Sequence, residues 1–246
     1  MSPPSRNSWS SSRGIFLLFA ATIFLSALLL FWIELALAKI LLPRLGGTPA
    51  VWNTCMLFFQ VLLLAGYSYV LVTTSWIGVR KQAVLHSVLL LLSVLYLPLT
   101  LTGNSGSISE QNYPALWLFG YLFSAIGLPI FLISTTSPLL QKWFTHTGHH
   151  SANDPYFLFA VSNAGSLLAL ISYPLLLEPN LRLSHQTQLW VVGYVGLLVL
   201  SVSCVLVLWW SSRRERVVSE PNNVPAEPST TENSEPGNLE VVQGHR

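Results

Sequence analysis

Residues 15–40 read IFLLFAATIFLSALLLFWIELALAKI, an apolar run broken only by Glu34 and Lys39 near its end. A helix needs about 20 mostly apolar residues to cross the hydrocarbon core of a bilayer. Lipid offers backbone amides no partners, so a crossing segment of this kind must be helical. Two arginines, Arg6 and Arg13, precede the run, and Ala36-Leu37-Ala38 lies near its end, as in a cleavable signal. The apolar stretch is far longer than the roughly 7–15 residues of a signal-peptide core, so retention as a span is expected.

Five more stretches of the same kind follow: Val51–Thr73, Ala83–Leu101, Leu116–Leu139, Phe157–Leu177 and Leu189–Trp210. The expected fold is therefore all-α, a polytopic bundle of six transmembrane helices. Composition agrees. Apolar residues make up 52% of the 246 and charged residues only 9%, against about 25% charged in an average soluble domain. The net charge of +2 and the scattered Lys and Arg residues argue against a nucleic-acid partner.

Charge is also unevenly spread. Residues 14–210 hold ten charged side chains, and residues 211–246 hold another ten. The expected organisation is a cytoplasmic N-terminal segment, 1–13, a six-helix domain, 14–210, and a polar tail, 211–246. The tail has no aromatic residue and is rich in Pro, Glu, Ser and Asn. It has too little apolar surface to offset its ordering entropy and is expected to be disordered.

Orientation follows from counting cations. With the N-terminus inside, the inner segments carry Arg6, Arg13, Arg80, Lys81, Lys142, Arg213, Arg214 and Arg216, and the outer side Lys39, Arg44 and Arg182. Eight against three favours both termini inside. The connection 102–115 has no Lys or Arg, as expected of an outer loop. Trp52, Trp76, Trp117, Trp143, Trp190, Trp209 and Trp210 fall near span ends, where interfacial anchors sit. Arg213-Arg214-Glu215-Arg216 reads first as a stop-transfer cluster and second as a contact for anionic lipid.

Polar groups at membrane depth are costly and mark the places to look for function. Glu34 lies near the outer end of the first span. It reads either as a cation or proton site or as the partner of Lys39, Arg44 or Arg182. Asn53, Gln60 and Tyr67 recur every seven residues, which places them on one face of the second span. That face serves either a polar cavity or interhelical hydrogen bonds. The fourth span carries Pro129 and ends in Ser134-Thr135-Thr136-Ser137-Pro138. Proline frees a carbonyl and can kink a helix; broken helices mark substrate sites in transporters, but kinks are also common in spans without such a role, and the second reading is favoured.

The fifth span carries Ser162-Asn163-Ala164-Gly165-Ser166 and then Pro174. Its small residues, Ala160 with Ala164 and Ser162 with Ser166, suit close helix packing, with Asn163 bonding across the contact. Glu178 follows near the outer face. The candidate substrate-binding set is thus Glu34, Asn53, Gln60, Asn163 and Glu178.

Other chemistry is sparse. His146, His149, His150 and Asp154 share an inner loop with no rigid frame, so no metal is expected. Lys142, Trp143 and Phe144 read as an interfacial anchor. Cys55 and Cys204 lie in apolar runs and read as buried thiols. The sequence has no nucleotide-binding glycine turn, P-loop, nucleophile elbow or zinc-binding helix motif. No cofactor and no enzymatic activity are expected.

Three segments carry a family resemblance. The first is Glu34-Leu35-Ala36 with Lys39–Thr54, the second Phe58–Tyr67, and the third Ser137–Phe144 with Asp154–Leu170. Together they resemble the membrane half of the bacterial fused major-facilitator/spermidine-synthase proteins, over roughly residues 15–210. The resemblance implies a multi-pass protein of the bacterial cytoplasmic (inner) membrane. In that family a cytosolic domain similar to spermidine synthase commonly follows the helices. Here 36 mostly polar residues follow Trp210, short of the typical 100 or so of a domain. The expectation is a chain lacking that synthase domain, with no catalytic residue carried over.

Two functions remain open. One is a small-solute carrier component, for a polyamine-like cation, able to pair as a homodimer. The other is a non-catalytic anchor that holds a separately encoded synthase-like subunit through residues 141–155 and 213–216.

Overall fold

The computed structural model of the chain describes residues 6–45, 48–97, 113–147 and 156–218. Among them every regular element is helical and no strand occurs. Helix α1 is Arg6–Leu45, α2 Pro49–Ser93, α3 Pro114–Phe144 and α4 Tyr156–Ser172. A π-helical turn, Tyr173–Leu177, joins α4 to the short α5, Glu178–Asn180, and α6 runs Leu183–Val218. Five helical stretches are long and apolar enough to cross a membrane: Arg13–Leu41, Pro49–Ser93, Pro114–Phe144, Tyr156–Asn180 and Leu183–Trp210. Of the connection expected at 102–115, residues 102–112 lie outside the described residues, and 113–115 lead into α3. Of the tail expected to be disordered from 211, residues 211–218 instead continue α6 as helix, and 219 onward lies outside the described residues. So do His149, His150 and Asp154.

The expected second and third spans form a single element here. As one straight rod, the 45 residues of α2 would extend about 67 Å, more than twice a bilayer core of about 30 Å. Gly78 breaks it, with φ 74° and ψ 160°. This backbone conformation is open essentially to glycine alone. The chain reverses there. Gln82 Nε2 donates to the Val70 carbonyl at 3.2 Å, across twelve residues that would cover about 18 Å of straight helix. Helical backbone runs up to Gly78 and resumes directly after it. α2 is thus a helical hairpin with arms 49–77 and 79–93.

α1 is the central post. It packs against α3, α4 and α6, while α2 packs chiefly on α3. Three glycines permit the closest approaches. A Cβ at Gly165 would lie 2.5 Å from the Phe24 carbonyl oxygen, so α4 touches the backbone of α1 there. A Cβ at Gly66 would meet Ser134 Oγ at 2.9 Å, and one at Gly193 would meet Leu29 Cδ2 at 2.7 Å. Buried polar side chains tie the same seams. Ser26 Oγ donates to the Ile133 carbonyl at 2.9 Å, and Trp190 Nε1 to the Leu29 carbonyl at 3.0 Å. Ser93 Oγ and the Tyr194 hydroxyl share a hydrogen bond that fastens the end of the hairpin to α6.

Prolines act differently from expectation. α3 continues through Pro129 and Pro138 as one helix, so the chain breaks instead at Gly78. The π turn contains Pro174, whose missing N–H removes one rung from the ordinary ladder.

Two tryptophans expected to anchor at the interface do not. Trp143 and Trp190 are each 1% exposed, and Phe144 is as deeply buried. Trp143 forms part of an apolar cluster with Phe19, Phe144 and Leu208. Packing claims Trp143 and Phe144 because α3 extends a further turn past Leu139, and Trp190 because it is drawn onto α1 through the Leu29 carbonyl. Trp52, Trp76, Trp209 and Trp210 are exposed.

Candidate functional site

A cavity of about 330 Å³ opens where α1, the start of α2 and the α4–α5 junction meet. Leu35, Ala38 and Lys39 form one wall, Trp52 another, and Leu170, Tyr173, Pro174 and Glu178 the third. Most of that lining is apolar. The charged part is one pair: Lys39 Nζ lies 3.1 Å from Glu178 Oε1.

Local structure explains the placement. Lys39 lies in the last two turns of α1, and Glu178 opens α5 immediately after the π turn. Each extra residue in a π turn rotates the succeeding residues around the helix axis, and here the next residue is the carboxylate. The frame beneath is tied. Tyr173 Oη donates to Gln186 Oε1 at 3.0 Å. Gln186 Nε2 in turn donates to the carbonyls of Leu177 and Leu181, at 3.2 and 2.9 Å. Gln186 therefore pins the chain on both sides of Glu178–Asn180.

The five candidate residues are not gathered into one cluster. Glu178 lines the cavity. Glu34 is half-buried on α1, next to the cavity residue Leu35, and makes no ion pair among the described residues. Lys39 has Glu178 as its partner, not Glu34. Asn53 follows the cavity residue Trp52 and is exposed. Gln60, two turns along, is exposed on the same face, as is Tyr67. Asn163 precedes the cavity residue Leu170 by two turns, so both lie on one face of α4, and both are exposed.

Asn163 therefore does not bond across the α1–α4 contact. That contact runs through Leu158, Gly165 and Ala169, the buried residues of α4. Ser162 reaches the other neighbour instead, with its hydroxyl 3.2 Å from that of Ser137 on α3. Ala160 and Ala164 are exposed.

A second polar group is fully inside the bundle and escaped the sequence reading. Gln82 Nε2 lies within hydrogen-bonding distance of Thr73 Oγ1 at 2.6 Å and Thr74 Oγ1 at 2.9 Å, besides the Val70 carbonyl. Gln82 Oε1 accepts from Trp143 Nε1 at 3.3 Å. One turn further, His86 is 1% exposed and its Nε2 lies 3.2 Å from Thr136 Oγ1. The signal was a Gln and a His four residues apart, at the edge of an apolar run and facing one way.

Among the described residues no group of three or more His, Cys, Asp or Glu side chains is placed to hold a metal. Cys55 and Cys204 are buried free thiols. No family model, curated protein or solved structure matches this chain.

Proposed function

We propose that the chain is a membrane-embedded small-solute carrier component that crosses a bacterial inner membrane six times, with both termini inside. The α2 hairpin supports six crossings, because its two arms run in opposite directions. The observation that carries the carrier reading is the cavity with the Lys39–Glu178 pair at one end of the helices. An apolar pocket with a few convergent polar groups is the usual form of a small-molecule site. Glu178 is the counter-charge for a cationic solute, which must displace Lys39 to reach it. Asn53, Gln60 and Asn163, on the faces of α2 and α4 that lead away from the cavity, supply neutral hydrogen-bonding groups along the route.

Uptake of labelled putrescine and spermidine into proteoliposomes tests this reading, with wild type compared against Glu178→Gln and Glu34→Gln. Saturable uptake lost in Glu178→Gln supports it. Absence of both uptake and binding by folded protein rules out a polyamine-like solute.

One observation favours the anchor reading as the second choice. α6 stays helical through Val218, two turns past Trp210, so Arg213, Arg214 and Arg216 belong to a helical extension. Such an extension suits docking of a synthase-like subunit. Co-purification with that subunit, lost on removal of 211–246, distinguishes it from the carrier.

A further inference from the structure

The pair His86 and Tyr69 has the hydrogen-bonding pattern of a base held in readiness. Thr136 has one hydroxyl hydrogen, and it is given to the Leu132 carbonyl at 2.7 Å. The 3.2 Å contact between Thr136 Oγ1 and His86 Nε2 therefore needs the imidazole to be the donor. This fixes the neutral ring as the Nε2–H tautomer and leaves Nδ1 with a bare lone pair. His86 Nδ1 is buried and has no hydrogen-bond partner among the described residues.

The neighbouring ring has the opposite shortage. The Tyr69 hydroxyl is also buried without a hydrogen-bond partner, and the Tyr69 and His86 ring centroids are 6.4 Å apart. An unused acceptor and an unused donor thus lie on adjacent side chains. Unsatisfied polar groups buried in this way are rare and carry a cost, so their retention calls for a role.

The surroundings restrict that role. Trp143 packs edge-on against the imidazole, with centroids 6.1 Å apart. Gln82 lies one turn away on the same arm. Tyr69 faces His86 from the other arm of the hairpin, and Thr136 and Trp143 face it from α3. None of these carries a charge, and among the described residues no carboxylate pairs with His86.

We propose that His86 is a proton-binding site in the interior of the bundle, with Nδ1 as the protonated atom. The proton comes from the aqueous phase, and no bond other than the new N–H forms. Nε2–H keeps its bond to Thr136. The new Nδ1–H is received by the Tyr69 hydroxyl oxygen, directly or through one water, as that hydroxyl turns its own hydrogen away. A lone imidazolium in an apolar interior is costly without a counter-charge. Proton uptake is therefore coupled to entry of water between the α2 hairpin and α3.

The test is ¹⁵N NMR of imidazole-labelled protein in lipid nanodiscs, in a variant whose other five histidines, His146, His149, His150, His185 and His245, are replaced by Gln. His86 and its neighbours are untouched in that variant. The expected spectrum at alkaline pH is the Nε2–H tautomer with unprotonated Nδ1. Acidification within the range where the protein stays folded should protonate Nδ1. Adding Tyr69→Phe, which keeps the ring, should move the midpoint to more acidic pH. An Nδ1–H tautomer, no protonation before unfolding, or an unchanged midpoint in Tyr69→Phe would each overturn the proposal.

Discussion

The Gln82 side-chain amide lies 3.2 Å from the carbonyl oxygen of Val70, the residue twelve positions before it. This one contact shows that α2 doubles back on itself. Gln82 is 0% exposed and holds both arms and α3 together, through Thr73, Thr74 and Trp143. Replacing it with Leu keeps the volume and removes every bond. Trp143 Nε1 and the Val70 region are then left with fewer partners. The expected loss is about 1–3 kcal/mol, the usual cost of orphaning a buried polar group. Reversible unfolding in mixed micelles measures it, and a loss no larger than that of a surface substitution would contradict the role given to Gln82.

Gly78 is the other half of the reversal. Its φ of 74° and ψ of 160° exclude a side chain at low cost, although nothing lies within 4 Å of where a Cβ would go. Gly78→Ala is thus a purely conformational test. It should destabilise by about 1–3 kcal/mol. Gly120→Ala, also in open space but inside α3, should be neutral or stabilising by up to about 1 kcal/mol. Equal effects at the two sites would show that the hairpin geometry is not what Gly78 provides.

The close approaches rank by what a methyl group would meet. At Gly165 it meets main-chain oxygen of Phe24 at 2.5 Å, which cannot move without shifting α1. At Gly193 it meets the tip of Leu29 at 2.7 Å, a side chain able to turn. Alanine substitution should cost about 1–3 kcal/mol at Gly165, less at Gly193, and nothing at Gly120. The order of unfolding midpoints in one detergent checks this ranking directly.

Much of this fold was legible in the sequence, and the reasons it was incomplete are local. Bilayer length and apolar composition picked out 15–40 and 189–210 as helices, because a crossing segment has no alternative to helix. The same reasoning treated Val51–Thr73 and Ala83–Leu101 as separate elements. It had no means of knowing that helix would persist to within one residue of the reversal at Gly78. Pro129 was the more conspicuous breaker, yet α3 passes through it. The candidate site was only partly legible for a related reason. Helical spacing assigns residues to faces, so it grouped Asn53, Gln60 and Tyr67 correctly on one face. It does not say which helix that face meets. The partner of Lys39 turned on the rotation given by the π turn ahead of Glu178, and no spacing rule in the sequence announces that turn.

Under the carrier proposal, the Lys39–Glu178 pair separates function from stability. Its side chains are 37% and 47% exposed, and ion pairs of that exposure typically couple by only about 0.2–1 kcal/mol. A double-mutant cycle with Lys39→Met and Glu178→Gln should give a coupling in that range. The same Glu178→Gln protein, folded and nearly as stable as wild type, should fail in saturable uptake. A coupling of several kcal/mol would instead make the pair a structural tie and remove it from the proposed solute route.

The sidedness of the Gly78 turn decides the number of crossings. Arg80 and Lys81 are exposed just after the break, as is Trp76 just before it. Under six crossings this turn lies on the cytoplasmic side, and Tyr113, at the start of α3, lies on the opposite side. The native thiols Cys55 and Cys204 are buried and free, so they give a low background to thiol reagents, and single cysteines can be read against it. A membrane-impermeant maleimide applied to intact cells should label Tyr113→Cys and spare Trp76→Cys, and permeabilised cells should label both. If α2 crossed only once, Tyr113 would lie on the same side as the N-terminus, and Tyr113→Cys would be spared in intact cells. Labelling of Trp76→Cys from outside intact cells would reverse the orientation deduced from the cation count.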